Sequence, residues 1–140
     1  MSTPNAYLLF DGNCAQAMRH YEKVLGGKLE RLVSHREAPA SVQVPSRSLD
    51  RIMHARLAIP GGVLLASDWM VDRPYEPMQG FYVSLSYATA AEAERIYATL
   101  RDGGRVMMPL AKTFFVEAFG MLVDRYGTPW MISGGAMPAL

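Results

Sequence analysis

Apolar positions near the start of the chain predict a strand followed by an amphipathic helix. Residues 6–11 (AYLLFD) are apolar and rich in strand-forming residues. Four apolar residues then recur at helical spacing: Cys14, Met18, Tyr21 and Leu25. Asn13 and Gln16 have the spacing of a capping box, and Gly26–Gly27 favours a helix end because glycine tolerates the left-handed conformation there.

The same order of features returns in the second half of the chain. A strand pattern that begins near Tyr82 runs into Thr89, which together with Glu92 predicts a second capped helix. Its apolar residues also recur at helical spacing: Ala93, Ile96, Tyr97 and Leu100. Gly103–Gly104 ends this helix as a glycine pair ends the first. The matching roles indicate an internal repeat of one strand–helix unit.

Three strand candidates follow each predicted helix, so each half has the order β-α-β-β-β. These candidates lie at residues 28–35, 52–59, 61–68, 105–110, 119–124 and 128–133. The repeat aligns the turn glycine Gly62 with Gly127. We therefore predict an α+β fold in one domain of 140 residues, with module one at about 5–68, a connection at 69–80 and module two at about 81–135.

Composition and charge narrow the class of protein. A net charge of +1 gives no electrostatic reason to expect binding of nucleic acid or of an anionic membrane. Cys14 is the single cysteine and cannot form an internal disulfide, which fits a reducing compartment. No signal-peptide pattern or long apolar run is present, so we expect a cytoplasmic protein without a membrane partner. Ten methionines indicate either adaptable core filling or a pliable apolar pocket.

Three segments carry a resemblance to a known superfamily: FDGNCAQAMRHYEKVLGG, GGVLLASD and FGMLVDRYGTPWMIS. With the duplicated order of elements, they resemble the vicinal-oxygen-chelate superfamily of glyoxalases, bleomycin-resistance proteins and dioxygenases. More narrowly, they look like its PhnB-like branch, whose members often carry a demethylubiquinone methyltransferase label. The resemblance implies two curved mixed sheets around a concave pocket, and a homodimer. One departure is Phe115, where that branch is expected to have Trp.

The resemblance also raises the question of a metal. Metal-dependent members of the superfamily take ligands, usually His, Gln or Glu, from the first and last strands of each half. Those positions correspond here to Ala6, Ala66, Tyr82 and Met131. A register shifted by one residue gives Tyr7, Leu65, Phe81 and Trp130. Each set offers a single tyrosine oxygen and no His, Gln or Glu, which is too few donors for a divalent ion, so we expect no metal and no cofactor.

Strand alternation predicts which side chains face the concave side of each sheet. In residues 52–59 the apolar positions Met53, Ala55, Leu57 and Ile59 are expected to pack under a helix, which leaves His54 and Arg56 on the other face. The same reasoning, extended to the later strands, also directs Asp68, Tyr82 and Ser84 inward. The resemblance adds Phe115 and Met131, so the predicted ligand pocket has seven residues: His54, Arg56, Asp68, Tyr82, Ser84, Phe115 and Met131. Trp130, opposite Met131, is predicted to be core.

Simpler roles for several of these residues stay open. His54 is equally well explained as a structural histidine, and Arg56 could form an ion pair with Asp68 across neighbouring strands. Trp69, at the start of the connection, could be a pocket wall or a lid. Cys14, an early residue of the first helix, is expected to be a buried small side chain.

The function predicted from these features is binding of a small, largely apolar or aromatic organic molecule without a metal, by a homodimer. The alternative is an enzyme of the same superfamily, either a lyase, isomerase or dioxygenase, or an acid–base catalyst that uses His54 and Asp68. A third possibility is a structural or interaction module. A nucleotide or S-adenosylmethionine site of Rossmann type has no support, because no Gly-rich loop follows a strand.

Overall fold

The computed structural model describes residues 2–39 and 43–136. The chain divides into two compact units, Met1–Pro77 and Met78–Leu140. Each unit contains one helix and four strands in the order β-α-β-β-β, so the predicted α+β class and its repeated unit are confirmed. Among the described residues, no helix has the length and apolarity needed to cross a membrane.

The first unit consists of one four-stranded mixed sheet and one helix. Its elements are β1 (Ala6–Phe10), α1 (Cys14–Leu25), β2 (Lys28–Ser34), β3 (Ile52–Ile59) and β4 (Gly62–Asp68). The sheet order is β1-β4-β3-β2, in which β1 runs parallel to β4 and the other neighbours are antiparallel. Two short 3-10 turns, His35–Glu37 and Ser46–Ser48, lie between β2 and β3.

One face of this sheet is covered by α1. The apolar stripe read from the sequence is buried, since Cys14, Met18 and Tyr21 have no exposed surface. The ring centroid of Tyr21 lies 6.5 Å from that of Phe10, which fixes the side of β1 that meets the helix. Apolar burial on this face is the main source of stability for the unit.

The start of α1 differs from the prediction. Asn13 makes no side-chain capping bond, so the expected capping box with Gln16 is wrong. The carboxylate of Asp68 accepts the backbone N–H groups of Gly12 and Cys14 instead, at 2.9 and 3.0 Å. The helix end is as predicted, with Gly26 in the left-handed conformation at φ 68°.

The second unit repeats this architecture. Its elements are β5 (Val83–Tyr87), α2 (Ala90–Arg101), β6 (Arg105–Ala111), β7 (Ala118–Val123) and β8 (Pro129–Gly134). The sheet order is β5-β8-β7-β6, with β5 parallel to β8. Thr89 caps α2 as predicted, because its hydroxyl accepts the backbone N–H of Glu92 at 3.2 Å.

Close approach of α2 to the sheet depends on two glycines. A Cβ atom on Gly120 would lie 2.8 Å from a ring carbon of Tyr97, and one on Gly134 would lie 2.7 Å from the Cβ of Ala93. Larger residues at these positions would push the helix off the strands. The glycines thus mark the helix-covered face of this sheet.

The turn between β7 and β8 is organised by Asp124. One carboxylate oxygen accepts the backbone N–H groups of Tyr126 and Thr128, at 2.9 and 3.0 Å. The other accepts the indole N–H of Trp130 at 2.8 Å. Trp130 is fully buried, so its prediction as core is confirmed.

Candidate functional site

In each unit, the sheet face opposite the helix is the place where the sequence predicted a ligand; it is called here the helix-free face. Strand pairing defines its members in the first unit, because residues directly opposite in a ladder share a face. Tyr7 of β1 lies beside Leu65 of β4, which lies beside Arg56 of β3. His54 lies on the same face, two residues before Arg56 along β3.

Two polar pairs occupy the helix-free face of the first unit. The Tyr7 hydroxyl lies 3.5 Å from Nδ1 of His54, and their ring centroids are 6.1 Å apart. Arg56 donates from Nε to the carboxylate of Glu30 at 3.0 Å. His54 and Arg56 therefore lie on the predicted face, and their role in ligand binding stays a prediction. The structure adds Tyr7 and Glu30 to the polar groups of this face. Alternation within β3 could not reveal them, because they lie on β1 and β2.

Asp68 was predicted on the wrong face. Its neighbour in the ladder is Phe10, whose buried ring meets α1. Its carboxylate accepts the N–H groups at the start of α1 and also that of Ile52, at 2.7 Å. Asp68 is therefore a buried structural carboxylate, and neither an ion pair with Arg56 nor acid–base catalysis together with His54 fits this position.

Met53 also departs from the predicted pattern. Ala55 and Leu57 are fully buried as expected, whereas Met53 is 38% exposed. The neighbouring Ile52 is buried in its place, next to a register shift between Val33 and Ser34 in the pairing of β2 with β3. An irregular ladder of this kind cannot be read from apolar alternation.

The helix-free face of the second unit is rich in thioether and aromatic groups. Ser84 of β5 lies beside Met131 of β8, which lies beside Met121 of β7, which in turn lies beside Met108 of β6. Ser86 and Ser133 form the next pair, with their hydroxyl oxygens 3.2 Å apart. Met131 and Ser84 thus lie on the face predicted for them.

Phe115 and Tyr82 lie outside the strands. Phe115 packs edge-to-face on Phe119 of β7 with ring centroids 5.3 Å apart, and Phe119 shares the face of Met121 by alternation. Phe114 packs on Phe115 and is 82% exposed. Tyr82 comes directly before β5 and is half-buried. Their contribution to a ligand site stays a prediction.

In the first unit, the two residues aligned with metal ligands, Ala6 and Ala66, are each one residue away from a position on the helix-free face. Gly61 and Gly127 are the turn residues with positive φ, at 85° and 95°, so Gly61 and not Gly62 is the equivalent of Gly127. Ala6 and Ala66 lie on the helix-covered face, since their partners in the ladder, Leu64 and Leu8, are buried there.

The helix-free positions of the first and last strands do not fit a divalent metal. They offer hydroxyl, thioether and hydrocarbon side chains: Tyr7, Leu9, Leu65, Ser67, Ser84, Ser86, Met131 and Ser133. Such positions lack the imidazole and carboxylate donors of the usual site. Within residues 2–39 and 43–136, no group of three His, Cys, Asp or Glu side chains is placed to hold a metal ion.

The thiol of Cys14 is buried against the helix-covered face of the first sheet. Burial, together with the nearby negative charge of Asp68, raises the pKa of the Cys14 thiol from 9.0 to about 12. The thiol is therefore neutral at physiological pH and is a poor nucleophile. Its expected role as a small buried side chain is confirmed.

Comparison with known proteins adds four findings. A family model described as 3-demethylubiquinone-9 3-methyltransferase matches residues 3–133. Protein YjdN of Escherichia coli (strain K12) is 31% identical in an alignment of 135 positions that covers 91% of this chain and 91% of YjdN. The crystal structure of protein PA1353 from Pseudomonas aeruginosa is 40% identical, with a TM-score of 0.90 over 97% of this chain and 99% of that one. A glyoxylase/bleomycin resistance protein/dioxygenase domain from Frankia sp. EAN1pec shares the fold at 13% identity, with a TM-score of 0.65 over 100% of this chain and 98% of that one.

Proposed function

From the premise that the chain belongs to the 3-demethylubiquinone-9 3-methyltransferase family and has the glyoxalase/bleomycin-resistance fold, we propose that it binds a small, largely apolar or aromatic organic molecule. Binding takes place on the helix-free faces of its sheets. It does not use the metal site typical of the superfamily. The residues predicted for binding are kept, apart from Asp68: His54 and Arg56 belong to the first unit, and Tyr82, Ser84, Phe115 and Met131 to the second.

The observation that carries this proposal is the composition of the helix-free face in the second unit. Met108, Met121 and Met131 lie side by side across three strands, with Ser84 at the end of the row. Thioether side chains are flexible and polarizable, so such a surface adapts to ligands of different shape. A mostly apolar surface with a few hydroxyl groups is typical of sites for small organic molecules.

A thermal-shift screen tests the proposal. The full chain, in buffer with excess EDTA, is heated in the presence of a library of small aromatic compounds. We expect several compounds to raise the melting temperature, because a ligand that binds only the folded state stabilises it by mass action. A library without a single hit, or hits that disappear in EDTA and return with Zn²⁺, would contradict the proposal.

Two methionine substitutions locate the site. Met131→Glu places a carboxylate in the centre of the proposed surface and is expected to weaken binding of the hits at least tenfold. Met53→Glu is the matched control, since Met53 is 38% exposed and lies on β3 of the first unit, outside the proposed surface. Equal loss of binding in both variants would count against the second helix-free face as the site.

A second candidate function is acid–base catalysis, as in a lyase or isomerase of the same superfamily. It is favoured by the Tyr7–His54 pair, in which two titratable groups lie within 3.5 Å on the helix-free face of the first unit. We do not extend it to methyl transfer, which the family description names, because the sequence has no Gly-rich cofactor loop. Turnover of a thermal-shift hit that is abolished in His54→Ala would favour catalysis over binding alone.

We also propose that the protein is a cytoplasmic homodimer. The edge strand β6 exposes a run of apolar side chains, with Val106, Met107 and Met108 each 42–47% exposed. Exposed apolar edge strands are commonly covered by a partner. Light scattering is expected to give twice the 15.5 kDa mass of one chain, and a 15.5 kDa species at micromolar concentration would refute the dimer.

A further inference from the structure

Trp69 directly follows β4. Its backbone N–H donates to the carbonyl of Phe10 at 2.6 Å, which closes the last pair of the parallel ladder between β1 and β4, Phe10 with Asp68. The preceding residue, Asp68, faces α1. Because successive side chains of a strand point to opposite faces, the indole of Trp69 leaves the sheet on its helix-free side.

Neighbouring groups hold this tryptophan in place. Its ring contacts that of Tyr75 edge-to-face, with centroids 5.7 Å apart and an interplanar angle of 90°. Tyr75 is itself anchored, because its hydroxyl donates to the carbonyl of Leu9 at 2.8 Å. Arg51 donates to the Trp69 carbonyl at 2.8 Å. Both the backbone and the ring of Trp69 are therefore positioned before any ligand arrives.

The indole nitrogen of Trp69 is buried, and no acceptor for it exists within the described part of the chain. Buried donors are nearly always paired, and an unpaired one disfavours the folded state. The second tryptophan shows the usual arrangement, since the indole N–H of Trp130 donates to Asp124 at 2.8 Å. The two tryptophans thus differ at the indole N–H: that of Trp130 has an acceptor, whereas that of Trp69 could still bond to a ligand.

We propose that the Trp69 indole N–H is a ligand-binding group that donates a hydrogen bond to the carbonyl oxygen of an aromatic molecule. This rests on the proposed function for the helix-free face of the first unit, and it names the class of ligand bound there. An indole N–H can only donate, so it selects an acceptor. Arg51 and Arg56 are already paired with Asp11 and Glu30, which favours a neutral carbonyl over a carboxylate as that acceptor.

Two probes of nearly equal shape test this assignment. Acetophenone carries a carbonyl where α-methylstyrene carries a CH₂ group. The full chain, labelled with ¹⁵N, is titrated with each probe while the two indole N–H signals are followed by NMR. Trp69→Phe assigns the signals and also keeps an aromatic ring while removing the donor. The signal of Trp130, which is bonded to Asp124, serves as internal reference.

We expect acetophenone to move the Trp69 signal downfield and to bind about tenfold more tightly than α-methylstyrene, since one hydrogen bond to a donor otherwise left unpaired sets the difference. In Trp69→Phe the two probes should bind equally.

Equal affinities in the wild type, or a preference that survives in Trp69→Phe, would overturn the assignment while leaving the proposed function intact. If neither probe bound while other compounds gave hits in the thermal-shift screen, the assignment of an aromatic carbonyl compound as ligand would be overturned, and the proposed function would stand. A screen without hits would instead overturn the proposed function.

Discussion

Replacing Asp68 by Asn changes one oxygen to an NH₂ group and removes one negative charge. The carboxylate accepts three backbone N–H groups, two at the start of α1 and one from Ile52. An amide can keep the bonds of only one oxygen. If the amide oxygen keeps the two bonds to Gly12 and Cys14, its NH₂ group points at the N–H of Ile52, and two donors then face each other in a buried site.

The size of the effect follows from these contacts. Leaving one buried N–H unsatisfied costs about 1–3 kcal/mol. Losing the negative charge at the helix N-terminus adds about 0.3–1 kcal/mol. We therefore expect Asp68→Asn to lower the free energy of unfolding by about 1–4 kcal/mol. With a urea m-value of roughly 2 kcal/mol/M, the midpoint should fall by about 0.5–2 M.

Urea denaturation followed by circular dichroism measures this change. Asp50→Asn is the matched control, because Asp50 makes an ion pair with Arg36 in which the two side chains are 89% and 61% exposed. Exposed ion pairs contribute little, so the control should shift stability by less than about 0.5 kcal/mol. If Asp68→Asn were as mild as the control, or if it impaired ligand binding without loss of stability, the structural role argued for Asp68 would be wrong.

Trp130→Ala should destabilise by about 3–5 kcal/mol in the same assay, because it empties a fully buried site and leaves Asp124 without its indole partner; a loss below about 1 kcal/mol would contradict the burial of Trp130. The stability of the wild type should also fall as the pH rises from 9 toward 12, by up to about 1.4 kcal/mol per pH unit from Cys14 alone. This follows because the thiol ionises near pH 9 in the unfolded chain and near pH 12 in the folded one. Cys14→Ala should remove that part of the slope in pH-dependent urea melts, and an unchanged slope would contradict the raised pKa.

The sequence was sufficient to predict the repeated architecture. Apolar stripes at helical spacing placed both helices, and turn glycines separated the strands. On the helix-free faces, alternation placed His54, Arg56, Ser84 and Met131 correctly. Arg56, Ser84 and Met131 lie in regular ladders, and His54 keeps the face of Arg56 although the next pair in the ladder is shifted. The boundaries proposed for the modules and the connection stay predictions.

Errors arose where the ladder or the turn departs from a regular pattern. Two adjacent glycines, Gly61 and Gly62, made the turn ambiguous by one residue, and a shift of one residue exchanges the two faces of a strand. Asp68 was misplaced for a further reason, since its partners are backbone N–H groups distant in sequence. Backbone donors leave no trace in a residue pattern. Whether the indole N–H of Trp69 has an acceptor also depends on residues distant in sequence, so its unpaired state could not be foreseen.

We propose above that the helix-free face of the second unit binds an apolar aromatic molecule without a metal. The most direct test is an NMR titration of the protein labelled with ¹³C at its methionine methyl groups, with α-methylstyrene as probe and EDTA present. We expect shifts for Met108, Met121 and Met131 and none for Met18, which is fully buried on α1. Signals that stay unchanged up to the solubility of the probe, or that move only after Zn²⁺ replaces EDTA, would contradict it.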